Sequence, residues 1–226
     1  DLRLFKNLLF SVNLFTGLLV FVALTGTTFL MPFFLQGALG YQARIVGLLM
    51  ATIPIFLGVT APVAGSLSDR YGTRPMTVIG MAIMVIGYIA MHAANVQMPL
   101  WELVVRIVPL GLGMGIFQSP NNSAVMGSAP RERLGVASGL LSITRALGQT
   151  IGVAVIGTTW ANRVFWHAGE TLAGGATTAP IPAQVSGLQD VFLVLVGLIA
   201  CALGAASWAW RRERQLARLP ATQPSD

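Results

Sequence analysis

Six long apolar runs, at positions 8–35, 45–67, 76–91, 100–118, 135–160 and 191–210, leave this chain very few folds. A helix that crosses a bilayer needs about 20 apolar residues, more when tilted. Hydrocarbon offers no partner for free backbone groups, so helices are the default spanning form. A β-barrel would need roughly ten-residue segments of alternating polarity, and these runs do not alternate. Only 10% of the residues are charged, against about 25% in soluble domains. The expected fold class is an all-α integral membrane protein with six transmembrane helices.

The net charge of +6 makes nucleic acid a tempting partner, but its distribution argues against one. With both termini cytoplasmic, Arg3, Lys6, Arg70, Arg74, Arg131, Arg133, Arg211, Arg212, Arg214 and Arg218 share the inner side. Arg44 and Arg163 fall outside, and Arg106 and Arg145 fall within helices. That is the asymmetry of cytoplasmic loops, and anionic lipid at the inner leaflet is a sufficient partner. The expected location is the plasma (inner) membrane, multi-pass, and no nucleic-acid partner is expected. Residues 1–7 are polar and lead directly into a full-length run, so no signal peptide is expected. The start at Asp1 reads as the downstream part of a longer chain. The expected organisation is an interfacial lead-in at 1–7, a bundle at 8–210, and a basic cytoplasmic tail at 211–226, disordered past Arg218. Residues 162–189 read as the longest connection, an external loop, because Gly, Thr and Pro crowd its core.

The stretch 65–75 is a charged tip between two apolar runs, the shape of a membrane hairpin. Gly65 permits close helix packing, Asp69 can cap the amides of a helix N-terminus, and Gly72 permits a left-handed turn. Pro75 suits the first position of the third helix, and Arg70 and Arg74 hold the tip inside. Small residues four apart, Gly111/Gly115, Gly135/Gly139 and Gly148/Gly152, suit close helix contacts, within this unit or against a moving partner.

Charges inside the membrane are costly and mark cavities or partners. Glu102 and Arg106 share one helix face, either as an interfacial ion pair with a snorkelling arginine or as a cavity-lining pair. Arg145, with Gln149 one turn on, lies close to mid-membrane and is expected to face the bundle interior or an aqueous cavity. Thr28, Phe33, Gln36, Gln118 and Asn121 are candidate substrate-lining positions, although ordinary packing accounts for any one of them. Cys201 stands alone in the last run and reads as a small buried hydrophobe. His92 and His167 have no Cys, Asp or Glu at ligand spacing, so no metal site and no cofactor are expected. Ser138 in Gly-Val-Ala-Ser-Gly superficially suits an intramembrane protease, but both histidines belong to the opposite side, and no enzyme is expected.

The pattern G-x-x-x-D-R-x-G-x-R at 65–74 resembles the cytoplasmic loop signature of the major facilitator superfamily, with Thr73 where a basic residue is usual. Further segments resemble its fourteen-span drug–proton antiporter family. They are Met-Pro-Phe-Phe-Leu-Gln at 31–36, Gly-Leu-Gly-Met-Gly-Ile-Phe-Gln-Ser-Pro-Asn-Asn at 111–122, Gly-Val-Ala-Ser-Gly at 135–139 and Arg-Ala-Leu-Gly at 145–148. The resemblance implies the C-terminal six-helix half of such a carrier, working with an N-terminal half. It implies proton-coupled export of lipophilic or cationic drugs by alternating access, in multidrug efflux. Its expected partners are the lipid bilayer, a small-molecule substrate, protons and the N-terminal half. It further implies a conformational latch formed by Gly65, Asp69, Arg70, Gly72 and Arg74. The alternative is a non-transporting membrane partner.

Overall fold

The computed structural model describes residues 2–216. Its six long helices are α1 (Leu8–Ala38), α2 (Ala43–Tyr71), α3 (Thr73–His92), α4 (Leu100–Gly127), α5 (Arg131–Ala168) and α6 (Ile181–Gln215). All are long and apolar enough to cross a membrane. The described residues contain no strand, so the all-α expectation stands. Arg218 and the expected tail beyond it lie outside the described residues.

The helices outrun the apolar stretches at both ends. α2 continues through Asp69 and Arg70 to Tyr71, and α3 begins at Thr73. The hairpin tip therefore shrinks to Gly72. Pro75 is the third residue of α3 rather than the first, still in the turn where a missing N–H costs nothing. The expected external loop at 162–189 is shorter too, because α5 runs to Ala168 and α6 starts at Ile181. The buried Gln184 explains the early start of α6. Its Nε2 donates to the Thr177 and Ala179 carbonyls, at 3.2 and 2.8 Å, and folds the loop onto the helix.

α5, α1, α4 and α2 stand in one row, and α3 and α6 pack behind them. Glycine sets several of the spacings. A Cβ on Gly111 would sit 2.8 Å from the Ile53 carbonyl oxygen, and one on Gly115 would collide with the Thr60 hydroxyl, so α4 lies hard against α2. Gly148 and Gly152 bring α5 onto the Leu18 and Val22 carbonyls of α1, where added Cβ atoms would approach to 3.0 and 2.6 Å. Gly135 and Gly139 have nothing within 4 Å, so this pair holds no contact inside the bundle. The lead-in at Leu2–Lys6 does not simply lie at the interface. Leu4 plugs the end of the bundle against Phe10, Leu14, Val125 and Ala137.

Burial is uneven along the row. In the most apolar stretches of α5 and α2 only 17% and 22% of residues are buried, against 50% in α1. Cys201 is exposed on α6, not buried as expected. A lipid-facing position is as apolar as a core position, so hydrophobicity alone could not place it.

Candidate functional site

An even number of spans returns the chain to one end, where the beginning of α1, the α2–α3 turn, the end of α4 and the end of α6 enclose a cleft of about 740 Å³. Its floor is the turn itself. Gly72 has φ +91° and ψ 155°, a backbone open only to glycine. Its N–H closes on the Ser68 carbonyl at 2.8 Å. Ser68 in turn donates to Gly65 at 2.8 Å. Gly65 faces Ser119 of α4, close enough that a Cβ would come within 3.3 Å of the hydroxyl.

Arg74 leaves this turn inward. Its Nη1 donates to the Asn13 amide oxygen at 2.6 Å and its Nε to Glu213 at 3.1 Å. One guanidinium thus joins α3 to α1 and α6. The side chain is only 12% exposed, so the pair with Glu213 is shielded at one end. Asp69 behaves differently from the expectation. It lies exposed in the last turn of α2, and α3 receives no side-chain cap from its N-cap residue, Gly72. Arg70 is also exposed, its guanidinium 5.4 Å from the Tyr71 ring centre. Of the residues expected to form the latch, Arg74 is the one that crosses between helices among the described residues.

Deeper in the bundle, Asn13, Thr16 and Asn121 are buried in one polar layer. Asn13 Nδ2 and Asn121 Oδ1 have no hydrogen-bond partner among the described residues. Gly17 makes room for the Asn121 amide, 3.3 Å from where a Cβ would stand. Gln118 is half-buried one turn away on α4.

α5 is two-faced where it is open. Ser138, Ser142, Arg145 and Gln149 are all exposed, and at about 100° per residue they fall within about 60° of one another. Val136, Ile143, Leu147 and Ile151, also exposed, take the other side. An apolar face suits lipid, whereas a polar face inside a membrane needs water, a ligand or another part of the protein. Arg145 stands about 21 Å of helical rise from the start of α5. Its guanidinium lies 5.1 Å from the centre of the Phe21 ring. The spacing i, i+4, i+7, i+11 of this stripe is present in the sequence, where it sets Ser138 and Ser142 beside Arg145 and Gln149.

At the opposite end, Arg106 pairs with Glu102 and also donates to the Ala90 carbonyl. The pair therefore closes the C-terminal end of α3, and both partners lie within this bundle. Sequence reasoning missed Asp190, because 162–189 reads as loop. Asp190 Oδ2 accepts from Arg163 Nε at 2.7 Å and contacts His167 Nε2 at 2.8 Å, tying α6 to α5. His92 Nδ1 meets the Gln189 carbonyl at 2.8 Å. Both histidines are thus engaged at the end far from Ser138, an arrangement that offers no nucleophile–base pair.

Among the remaining substrate-lining candidates, Thr28 spends its hydroxyl on its own helix, at the Leu24 or Thr25 carbonyl. Gln36 is exposed. Phe33 is exposed and stacks on Trp160 with ring centres 6.1 Å apart, and Phe29 joins them 5.3 Å from Phe33. The Trp160 indole nitrogen is buried with no partner among the described residues.

Comparison with known proteins gives one family. The description "Major Facilitator Superfamily" matches residues 14–224. The chain is 31% identical over 167 residues to the riboflavin transporter RibZ of Clostridioides difficile, covering 74% of this chain and 37% of that protein. It is 35% identical over 183 residues to the uncharacterized transporter YebQ of Escherichia coli, covering 80% and 40%. It is 28% identical over 163 residues to the quinolone resistance protein NorB of Staphylococcus aureus, covering 71% and 35%. Among solved structures, a bacterial homologue of the human drug peptide transporters PepT1 and PepT2 matches with a TM-score of 0.76 at 17% identity. That match covers 98% of this chain and 45% of the other. The chain thus spans roughly two fifths of the length of these curated relatives.

Proposed function

This chain belongs to the major facilitator superfamily, a family of membrane transporters, and we propose that it forms one half of a carrier that exports lipophilic compounds by alternating access in exchange for protons. The observation that carries the reading is the uncovered front of the α5–α1–α4–α2 row, whose outer helix α5 turns a polar stripe around Arg145 toward open space. A bundle built to stand alone would give that stripe to one of its own helices. Here it is left for an aqueous path and for the N-terminal half of the same transporter.

In this reading Arg145 and Gln149 line the transport cavity, with Gln118 and Asn121 below the α1–α4 seam and Phe33, Thr28 and Gln36 toward the far end. The Glu102–Arg106 pair braces that end. Gly65, Asp69, Arg70, Gly72 and Arg74 form the latch, with Arg74 holding the closed arrangement through Asn13 and Glu213. In this reading both termini are cytoplasmic, which the basic excess at that end supports, and the membrane is the plasma membrane. Two of the named relatives are described as a riboflavin transporter and a quinolone resistance protein, which favours aromatic, drug-sized cargo.

The test uses the full-length parent protein in proteoliposomes with an imposed pH gradient. Uptake of radiolabelled riboflavin or a quinolone into inside-out vesicles, abolished by collapsing the gradient and reduced several-fold by Arg74→Gln, is the expected result. Uptake that is absent from wild-type vesicles, or indifferent to the gradient, overturns the reading.

A further inference from the structure

We infer that the open face of α5 is a receptor for the anionic group of an aromatic substrate, with Arg145 as its counter-ion. This inference rests on the carrier reading and narrows its cargo, against the lipophilic cations that the sequence resemblance also admits.

The charge distribution leads to it. Every described carboxylate lies toward one end of the bundle or the other. Asp69, Glu132 and Glu213 sit at the end with the termini, and Glu102, Glu170 and Asp190 toward the opposite end. Arg145 stands between them on the exposed polar stripe, and among the described residues it has neither an ion-pair nor a hydrogen-bond partner. What holds it is the face of Phe21, 5.1 Å from ring centre to guanidinium carbon. An aromatic face beneath the guanidinium steadies it without using its N–H donors. A planar fork held this way is preorganised for a carboxylate or a similar oxyanion. Gln149, on the same stripe, adds a neutral donor and no competing charge, while Ser142 gives its proton to the Ser138 carbonyl at 3.1 Å.

The rest of the ligand follows from the neighbours. Phe29, Phe33 and Trp160 make an aromatic run in which successive ring centres are 5.3 and 6.1 Å apart. Phe29 is eight residues beyond Phe21 on α1, about 12 Å of rise. A drug-sized molecule with an acidic head and an aromatic body spans that distance. A cation of the same shape would instead meet an unpaired positive charge.

The test is binding to the detergent-solubilised full-length parent protein of two fluorescent compounds, pyrenebutyrate and pyrenebutylammonium, which share ring and tether and differ in charge. Wild type should bind pyrenebutyrate at least about tenfold more tightly, the scale of one charge-assisted hydrogen bond. Arg145→Gln should abolish that preference and Arg145→Lys should keep most of it. Tighter binding of the ammonium compound overturns the inference. So does pyrenebutyrate affinity unchanged in Arg145→Gln, which would mark Arg145 as a partner for an acid elsewhere in the protein. If the glutamine variant does not insert, the comparison on wild type and Arg145→Lys still decides the sign. Binding is read without turnover, so the carrier reading is judged separately. Counterflow of the ammonium compound alone would keep the carrier and overturn the anion receptor.

Discussion

The Arg74 guanidinium donates to the Asn13 amide oxygen at 2.6 Å, joining two helices from positions 61 residues apart in the chain. Both residues are largely withdrawn from water, and Arg74 completes the arrangement with Glu213. Removing the arginine strands a buried acceptor and frees a carboxylate. Arg74→Gln should therefore destabilise the protein by about 1–3 kcal/mol. Arg70→Gln, which loses only a surface ring contact, should stay within about 0.5 kcal/mol. Thermal unfolding of the two variants side by side checks this. Equal midpoints would remove Arg74 from any role in holding the three helices.

Gly115 should not tolerate a side chain. A Cβ there collides with Thr60 and comes within 3.0 Å of the Leu57 carbonyl, and backbone cannot yield as a flexible side chain can. Gly115→Val is expected to separate α4 from α2 and to lower the yield of folded protein severely. Gly139→Ala meets nothing within 4 Å and removes a helix-interior glycine, so it should be neutral or stabilising by up to about 1 kcal/mol. Size-exclusion profiles and melting midpoints of the pair distinguish a packing glycine from an incidental one.

At Gly72 the constraint is conformational rather than steric. Its φ of +91° is strained for any residue with a Cβ, although only Pro75 lies nearby, at 3.9 Å. Gly72→Ala should cost about 1–3 kcal/mol, and Gly72→Asn should cost no less, because this backbone lies outside the αL well that asparagine tolerates. Unchanged unfolding of Gly72→Ala would show that the turn relaxes at no cost.

Arg163 and Asp190 form the tie between α5 and α6 in a partly wet setting, with side chains 43% and 24% exposed. A double-mutant cycle over Arg163→Gln and Asp190→Asn should return a coupling of about 0.2–1 kcal/mol, the range for exposed pairs. Zero coupling would reduce the contact to a crystallographic-style coincidence of geometry.

Cys201 faces outward on α6. A thiol that faces hydrocarbon stays protonated and a poor nucleophile, so N-ethylmaleimide and a charged methanethiosulfonate should both leave it largely unmodified in sealed vesicles and should both modify it once the protein is unfolded. Mass spectrometry of the intact chain reads both reactions.

The six spans were legible because length and apolarity are set by the bilayer itself. Gly72 was legible because a one-residue reversal leaves few alternatives to glycine. The ends of α2 and α6 were not. Asp69, Arg70, Gln184 and Gln189 are polar but compatible with helix, and a helix need not stop where the hydrocarbon does. Outward and inward faces were illegible for a related reason. Lipid rewards leucine as a protein core does, so Cys201 and the Gly135/Gly139 pair gave no sign of their exposure. The partners of Arg74 were out of reach because Asn13 and Glu213 are distant in sequence and meet only through the folded row. The polar stripe on α5, by contrast, was readable from its spacing alone.

α5 contains a wide turn at Gly152–Ile156, where the backbone follows a π-helical path. One extra residue per turn rotates everything beyond it by about 100°. Below that turn α5 rests on α1 through Gly148 and Gly152; above it the helix leans on α6 through Val164 and Arg163. The rod is therefore divided into two lengths that answer to different neighbours.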